Sequence, residues 1–293
     1  VKDADLLVES FRPHVMPDLG LGYDELKELN PKLVMASLSS FGQTGPYKEF
    51  KATDIVNYAM GGPMYDTGLP EREPVKLGGT LTTSIGGNVA APLILGALWA
   101  AQDQGIGQHV DISIFEIQLG QAERRPNSLL GYAYSGHVTV RTRGGGTLGI
   151  PYAPYPCADG YVQFMTMPEW WPRVARMMDR PDILTDPRFA QFDERLRNQE
   201  VFEGEVLLPW LLAHTKQEVT EAAQREREAA LPVSTMADLV VDPQLASRGF
   251  FIDIDHPVMG TLKFTGATCN MGEGGWKLRI PAPLLGQHNA EIY

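Results

Sequence analysis

The run Lys32-Leu33-Val34-Met35-Ala36-Ser37-Leu38-Ser39-Ser40 decides how this chain folds. Leu33, Val34, Met35, Ala36 and Leu38 make it a nearly continuous apolar strand of the kind covered on both faces. Upstream, Leu6-Leu7-Val8 is a second run of that type, giving a strand over Leu6–Glu9 that Arg12-Pro13 breaks. Between the two, Tyr23 to Leu29 reads as a short helix stopped at Asn30-Pro31, because a residue before proline is pushed out of the helical region. Strand, helix, strand implies parallel pairing, since parallel neighbours need a crossover. Phe41-Gly-Gln-Thr-Gly-Pro-Tyr47 then forms a turn-rich loop past the carboxyl end of a strand, where open α/β sheets bind ligands.

Working outward, Thr53 to Met60 reads as a helix ended by Gly61-Gly62-Pro63. Leu81 to Gln102 reads as a long helix with apolar residues on nearly every side, and so as a well-buried one. His109 to Phe115 reads as a strand, with Asp111 and Ser113 alternating with Val110, Ile112 and Ile114. Glu116 opens a helix at once. Arg124, Arg125, Arg141, Arg143 and Gly144-Gly145-Gly146 mark a polar, flexible linker containing a functional loop. From Pro151 the texture is α+β. A strand is expected over Gly160–Met165, helices over Trp170–Met178 and around 185–197, 199–214, 216–229 and 235–248, and a strand pair over Gly249–Asp255 and Gly260–Phe264. The boundaries read as 1–125, a linker 126–150, a smaller domain 151–262 and a return linker 263–293.

Composition narrows the function. The 293 residues carry 25 Lys+Arg against 36 Asp+Glu, a formal charge of −11. This acidic balance argues against a duplex DNA binder. With 43% hydrophobic and 21% charged residues, the chain is not a disordered one. Two cysteines, Cys157 and Cys269, exclude a disulfide scaffold and a four-cysteine zinc site, and fit reduced thiols in a cytoplasmic protein. His256 and His288 lack paired ligand spacing, so no metal site is expected. Val89 to Ala101, the longest apolar run, is too short to span a bilayer and holds Pro92 and Gly96. Val1 is not an initiator Met, and the chain reads as starting in mid-fold.

Several segments together resemble the class III CoA-transferase family of CaiB/BaiF type, which includes formyl-CoA transferase, carnitine CoA-transferase and α-methylacyl-CoA racemase. They are Val8-Glu-Ser-Phe-Arg-Pro13, Leu19-Gly-Leu-Gly-Tyr-Asp-Glu-Leu26, Asn30-Pro-Lys-Leu-Val34, Ser40-Phe-Gly-Gln-Thr-Gly-Pro-Tyr47, Gly107-Gln-His-Val-Asp-Ile-Ser113, Asp242-Pro-Gln-Leu-Ala246 and Ala282-Pro-Leu-Leu-Gly-Gln-His288. Seven segments in family order outweigh any single motif. The resemblance implies an α/β fold with a large Rossmann-like CoA-binding domain, incomplete at both ends in this chain, and a smaller α+β domain. It also implies interlocked dimers of one chain or of two paralogues, and acyl-CoA and a carboxylic acid as substrates.

The family transferases use an Asp just past the strand matching Val110–Ile114 to attack the thioester. Here Glu116 stands in its place, keeping the carboxylate and adding a methylene. A helix-start carboxylate favoured by the dipole is the other reading of Glu116. Asp54 matches the family's acidic active-site residue, and is equally readable as a first-turn acid. The residue before it is Thr53, where racemases carry a His; threonine exchanges no proton near pH 7, which argues against an isomerase. Gly144, Gly145 and Gly146 match a glycine loop that shields the intermediate. Ser10, Phe11, Arg12 and Lys51 match the CoA-binding positions, with Arg12 and Lys51 the phosphate candidates. Arg124 and Arg125 are candidates for an acidic acyl substrate. The resemblance therefore implies CoA transfer between an acyl-CoA and an acid, or, given Glu116, a CoA-binding but non-catalytic subunit of a hetero-oligomer.

Overall fold

The computed structural model describes residues 1–120, 125–141, 149–269, 271–272 and 275–293. The chain divides into two compact units, Val1–Gly146 and Thr147–Tyr293.

The first unit runs β1 (Leu6–Glu9), a single turn α1 (Val15–Asp18), α2 (Tyr23–Leu29), β2 (Val34–Ser39), α3 (Asp54–Met60), α4 (Leu81–Gln104), β3 (His109–Ser113), α5 (Ile114–Gly120) and α6 (Arg125–Ser135). Its sheet has the order β1-β2-β3, with both pairings parallel; Leu6 faces Val34 and Ser39 faces Ser113. The apolar run quoted above is thus the central strand. Alternation splits it between two layers. Val34 and Ala36 pack with Ala90, Ile94, Ala97 and Ala101 of α4 and with Ile112. Leu33 and Met35 pack with Met16 and Leu26 on the other face.

Three expectations change. α4 buries one stripe and leaves Leu93, Leu95 and Trp99 exposed, so all-round apolarity does not translate into all-round burial within this unit. By length and composition α4 is also apolar enough to cross a bilayer, which the run Val89–Ala101 alone is not. The third strand stops at Ser113, and Ile114 and Phe115 are helical. The Ser113 hydroxyl accepts the Glu116 amide at 3.3 Å and the Phe115 amide donates to the Ser40 carbonyl at 2.9 Å. These bonds satisfy orphan donors of a first helical turn, so capping overrides the β-branched content. Finally, the stretch expected as an irregular linker carries α6.

The second unit runs β4 (Pro154–Cys157), β5 (Gly160–Phe164), α7 (Trp171–Met177), α8 (Phe192–Arg197), α9 (Gln199–Phe202), α10 (Leu208–Leu212), α11 (Lys216–Arg225), β6 (Ala230–Pro232), α12 (Met236–Val240), α13 (Pro243–Ser247), β7 (Phe251–His256), β8 (Gly260–Thr265) and α14 (Asn289–Ile292). β4-β5-β6 and the hairpin β7-β8 are antiparallel. A π-helical stretch, Glu203–Leu207, joins α9 to α10. The helix expected over 235–248 is two, because Pro243 cannot donate within a helix and Asp242 caps the Leu245 amide at 2.9 Å. The helix expected over 185–197 starts at Phe192, past the Asp186-Pro187 step. The core gathers Phe164, Trp171, Phe189, Phe202, Leu207 and Leu211.

Buried Arg195 donates from Nη1 to the Phe189 carbonyl at 2.8 Å and stacks 4.5 Å from the Trp171 ring. Glu228, within the helix expected around 216–229, is 1% exposed. α11 ends at Arg225, and Arg227 takes φ 58°, which turns residue 228 inward. Burial raises its carboxyl above the ordinary range, while the Thr166 hydroxyl, at 2.7 Å, pulls the other way.

Candidate active site

Beyond the carboxyl ends of β1 and β2 lies a cleft of about 360 Å³, lined by Ser10, Phe11, Arg12, Leu38, Ser39, Ser40, Lys48, Phe50, Lys51, Ala52 and Ile114. All four residues proposed from sequence for CoA, Ser10, Phe11, Arg12 and Lys51, are brought together there. This is where a parallel sheet leaves a ligand crevice.

Local bonds shape both walls. The first follows β1: the Glu9 carboxylate accepts the Phe11 amide at 2.7 Å and turns the chain at Ser10. The second is the loop after β2. Asp111 on β3 accepts the Gln43 amide at 3.0 Å with both carboxylate oxygens. Gly42 has φ 82°, and a Cβ there would sit 3.4 Å from that carboxylate, so glycine suits this turn. Phe41 then packs its ring 5.9 Å from Phe115 and 6.3 Å from Phe50, and Tyr47 lies 5.0 Å from Phe50. The aromatic cluster fixes the loop carrying Lys48 and Lys51 onto α5. Between the walls, His14 Nδ1 and Glu49 Oε2 lie 2.6 Å apart.

The cleft concentrates positive charge in an acidic protein. Arg12, Lys48 and Lys51 have no acid partner among the described residues. Ser39, 8% exposed, points an Oγ without a hydrogen-bond partner among them, and it too lines the cleft. Neither Lys48 nor Ser39 was anticipated. Lys48 could have been found as the cation one turn before Lys51; Ser39 reads in sequence as an ordinary strand residue.

Glu116 sits in the first turn of α5, two residues beyond Ile114 of the cleft lining. Its side chain is exposed and makes no hydrogen bond or ion pair with any described residue. The helix below it is wedged in place. Gly61, at the end of α3, lies so close that a Cβ would stand 2.3 Å from Gln118 Cβ, and Gly86 of α4 faces Ile114 with room for a Cβ at ordinary contact, 3.4 Å.

Asp54 has the opposite environment. On the first residue of α3, its Oδ1 accepts from the Thr82 hydroxyl, from the Thr83 amide at 3.0 Å and from the Thr83 hydroxyl at 3.2 Å. Its Oδ2 lies 2.9 Å from Lys76 Nζ, with both side chains about 15% exposed or less. Burial pushes its pKa up, but the Thr82 hydroxyl, Lys76 and the Thr83 amide outweigh this and hold it at about 2. The group ties the start of α3 to the start of α4. Lys76 was not anticipated, because the partner lies in an irregular segment 22 residues further along, where spacing carries no information.

Gly144, Gly145, Gly146 and Arg124 lie outside the described residues, as does the side chain of Arg125. Among the described residues no group of three His, Cys, Asp or Glu is placed to hold a metal.

Comparison with known proteins accords with this geometry. A succinyl-CoA–D-citramalate CoA-transferase of Chloroflexus aurantiacus is 33% identical over all of this chain and 72% of its own length. A succinyl-CoA:(R)-benzylsuccinate CoA-transferase subunit of Thauera aromatica is 32% identical over 99% of this chain and 72% of its own. The crystal structure of a CaiB/BaiF family protein from Brucella suis superposes with a TM-score of 0.84 at 27% identity, covering 99% of this chain and 75% of that one. The model of CoA-transferase family III matches residues 1–289, and the chain belongs to that family.

Proposed function

We propose that this protein transfers CoA between an acyl-CoA thioester and a carboxylic acid with Glu116 as the nucleophile. Membership of the family and the CoA-transferase relatives support the overall reaction. The observation that carries the site assignment is the cleft itself: three cations without acid partners among the described residues, at the strand ends, beside the helix that bears a carboxylate none of those residues engages. Arg12, Lys48 and Lys51 neutralise the CoA phosphates, Arg12 with a bidentate fork and the lysines as point charges. Ser39 offers a hydroxyl in the cleft, and Phe11, 55% exposed, offers a flat face to adenine.

The steps balance without net proton transfer. A Glu116 carboxylate oxygen attacks the acyl carbonyl, the C–S bond breaks, and CoA leaves as thiolate, giving a mixed anhydride. The thiolate attacks the glutamyl carbonyl and expels the first acid as carboxylate, leaving a glutamyl-CoA thioester. The acceptor carboxylate attacks that thioester, CoA leaves again, and attack of the thiolate on the new acyl carbonyl releases the second acyl-CoA and frees Glu116. A carboxylate suits this cycle because it is nucleophilic at pH 7 without a base. The glycines at 144–146 would exclude water from the anhydride.

The test is mass spectrometry of the full-length protein after acyl-CoA and hydroxylamine. A hydroxamate on Glu116, absent from Glu116→Gln, is the expected result. CoA binding with no adduct would favour the second reading, a CoA-binding subunit whose partner carries the nucleophile. The subunit designation of the Thauera relative supports that reading.

A further inference from the structure

We propose that His14 is a positioning residue for CoA: it holds the Glu49 carboxylate away from Arg12, Lys48 and Lys51, so that these three cations stay free for the phosphates. The proposal rests on the reading of the cleft as the CoA site and names the residue that keeps it competent.

Four acids lie within two residues of a position lining the cleft: Glu9, Glu49, Asp54 and Glu116. A carboxylate tethered so near can neutralise a lining cation before a phosphate does. Three of the four are engaged elsewhere. Glu9 accepts the Phe11 amide at 2.7 Å. Asp54 is held by Thr82, Thr83 and Lys76. Glu49 meets His14 Nδ1 through Oε2 at 2.6 Å. The fourth, Glu116, is the carboxylate that the reaction needs free.

Glu49 is the direct competitor. It is one residue from Lys48 and two from Lys51, and successive Cα atoms are about 3.8 Å apart, so a released carboxylate can reach either ammonium group. In the structure it pairs with neither, and its ion-pair partner is His14. That ring comes from the opposite wall, two residues after Arg12. The Val15 amide donates to the Arg12 carbonyl and the Asp18 amide to the His14 carbonyl, both at 2.9 Å, which fixes the turn presenting the ring. On the other wall the Phe50 amide donates to the Tyr47 carbonyl at 2.8 Å, which fixes the turn presenting Glu49. A carboxylate only accepts, so Nδ1 carries the hydrogen, and the bond holds with the imidazole neutral or protonated. The two side chains are 41% and 39% exposed, so the bond adds little to global stability and its loss is compatible with folding.

The test is calorimetry of CoA binding to the full-length protein at low and high salt. His14→Ala is expected to raise Kd about three- to fivefold at low salt, with a narrower gap at high salt. His14→Asn, whose side-chain amide replaces Nδ1–H as donor, should restore binding. Glu49→Gln should bind at least as tightly as wild type, and in that background His14→Ala should cost nothing. Should His14→Ala fail to fold, His14→Leu removes the donor and keeps the bulk. An unchanged Kd in His14→Ala, no rescue by His14→Asn, or a loss in Glu49→Gln equal to that in His14→Ala overturns the proposal; the last result makes the pair a strut between the walls. CoA binding indifferent to Lys48→Ala and Lys51→Ala alike instead overturns the reading of the cleft.

Discussion

Replacing Asp54 by Asn separates the two roles that its position in the sequence left open. The carboxylate is held by two threonines and Lys76 at 15% exposure, with its pKa at about 2. Against an ordinary aspartate near 3.9, that is a depression of about 2 units, or at most about 2.6 kcal/mol at 1.36 kcal/mol per unit. Partial access to solvent trims this to about 2 kcal/mol. The sign is that of an acid whose folded pKa is lowered: the stabilisation is complete above about pH 4 and is lost as pH falls through 2. Asn keeps the size but removes the charge that Lys76 faces.

The assay is hydrogen exchange by mass spectrometry, read on peptides from α3 and the first turns of α4, with β2 as the internal reference. A loss of about 2 kcal/mol in local opening corresponds to about 30-fold faster exchange at pH 7. After correction for intrinsic rates, wild type should converge on the variant as pH approaches 2. Unchanged protection in Asp54→Asn, together with loss of CoA transfer, would refute the brace and make Asp54 a participant in the chemistry.

Other perturbations probe the surroundings. Lys48→Ala and Lys51→Ala should each weaken CoA binding about three- to tenfold at low salt, with a smaller effect at high salt, measurable by calorimetry. Gly61→Ala places a methyl group against Gln118, which is 1% exposed, and should destabilise by about 1–3 kcal/mol in thermal melts while lowering transfer rate through displaced α5. Glu228 has its folded pKa raised by burial, so its contribution favours the folded state at acid pH and is lost as pH rises beyond about 4.3. Glu228→Gln should therefore flatten that part of the stability–pH curve and leave the chain more stable than wild type at neutral pH, as denaturant midpoints would show.

The parallel sheet was readable because β2 is apolar at successive positions and proline stops the preceding helix; both signals are local. Ser10, Phe11, Arg12 and Lys51 of the cleft were readable because they match family positions. What escaped was set by contacts between distant segments or by capping. Ser113 ends β3 early although Ile114 and Phe115 favour a strand, since a hydroxyl three residues before Glu116 competes for its amide. α4 looks buried all round from its composition, yet its depth depends on how many neighbours surround it. Lys76 finds Asp54 across an irregular loop, and Glu228 is turned inward by one residue of positive φ. Neither event has a periodicity to betray it.

The two candidate carboxylates of the first unit are distinguished by what already occupies their oxygens. Asp54 accepts three hydrogen bonds on one oxygen and faces an ammonium group with the other. Every interaction that lowers its pKa also lowers the electron density it could offer a carbonyl carbon, and approach to it would first require breaking the link between α3 and α4. Glu116 has none of these engagements among the described residues, while the helix beneath it is fixed by the Ser113 cap, the Ser40 carbonyl and the close contact with Gly61. A nucleophile that must reach a thioester needs this combination of an unencumbered oxygen and an immobile base. The extra methylene of Glu relative to Asp then acts as reach from a fixed helix.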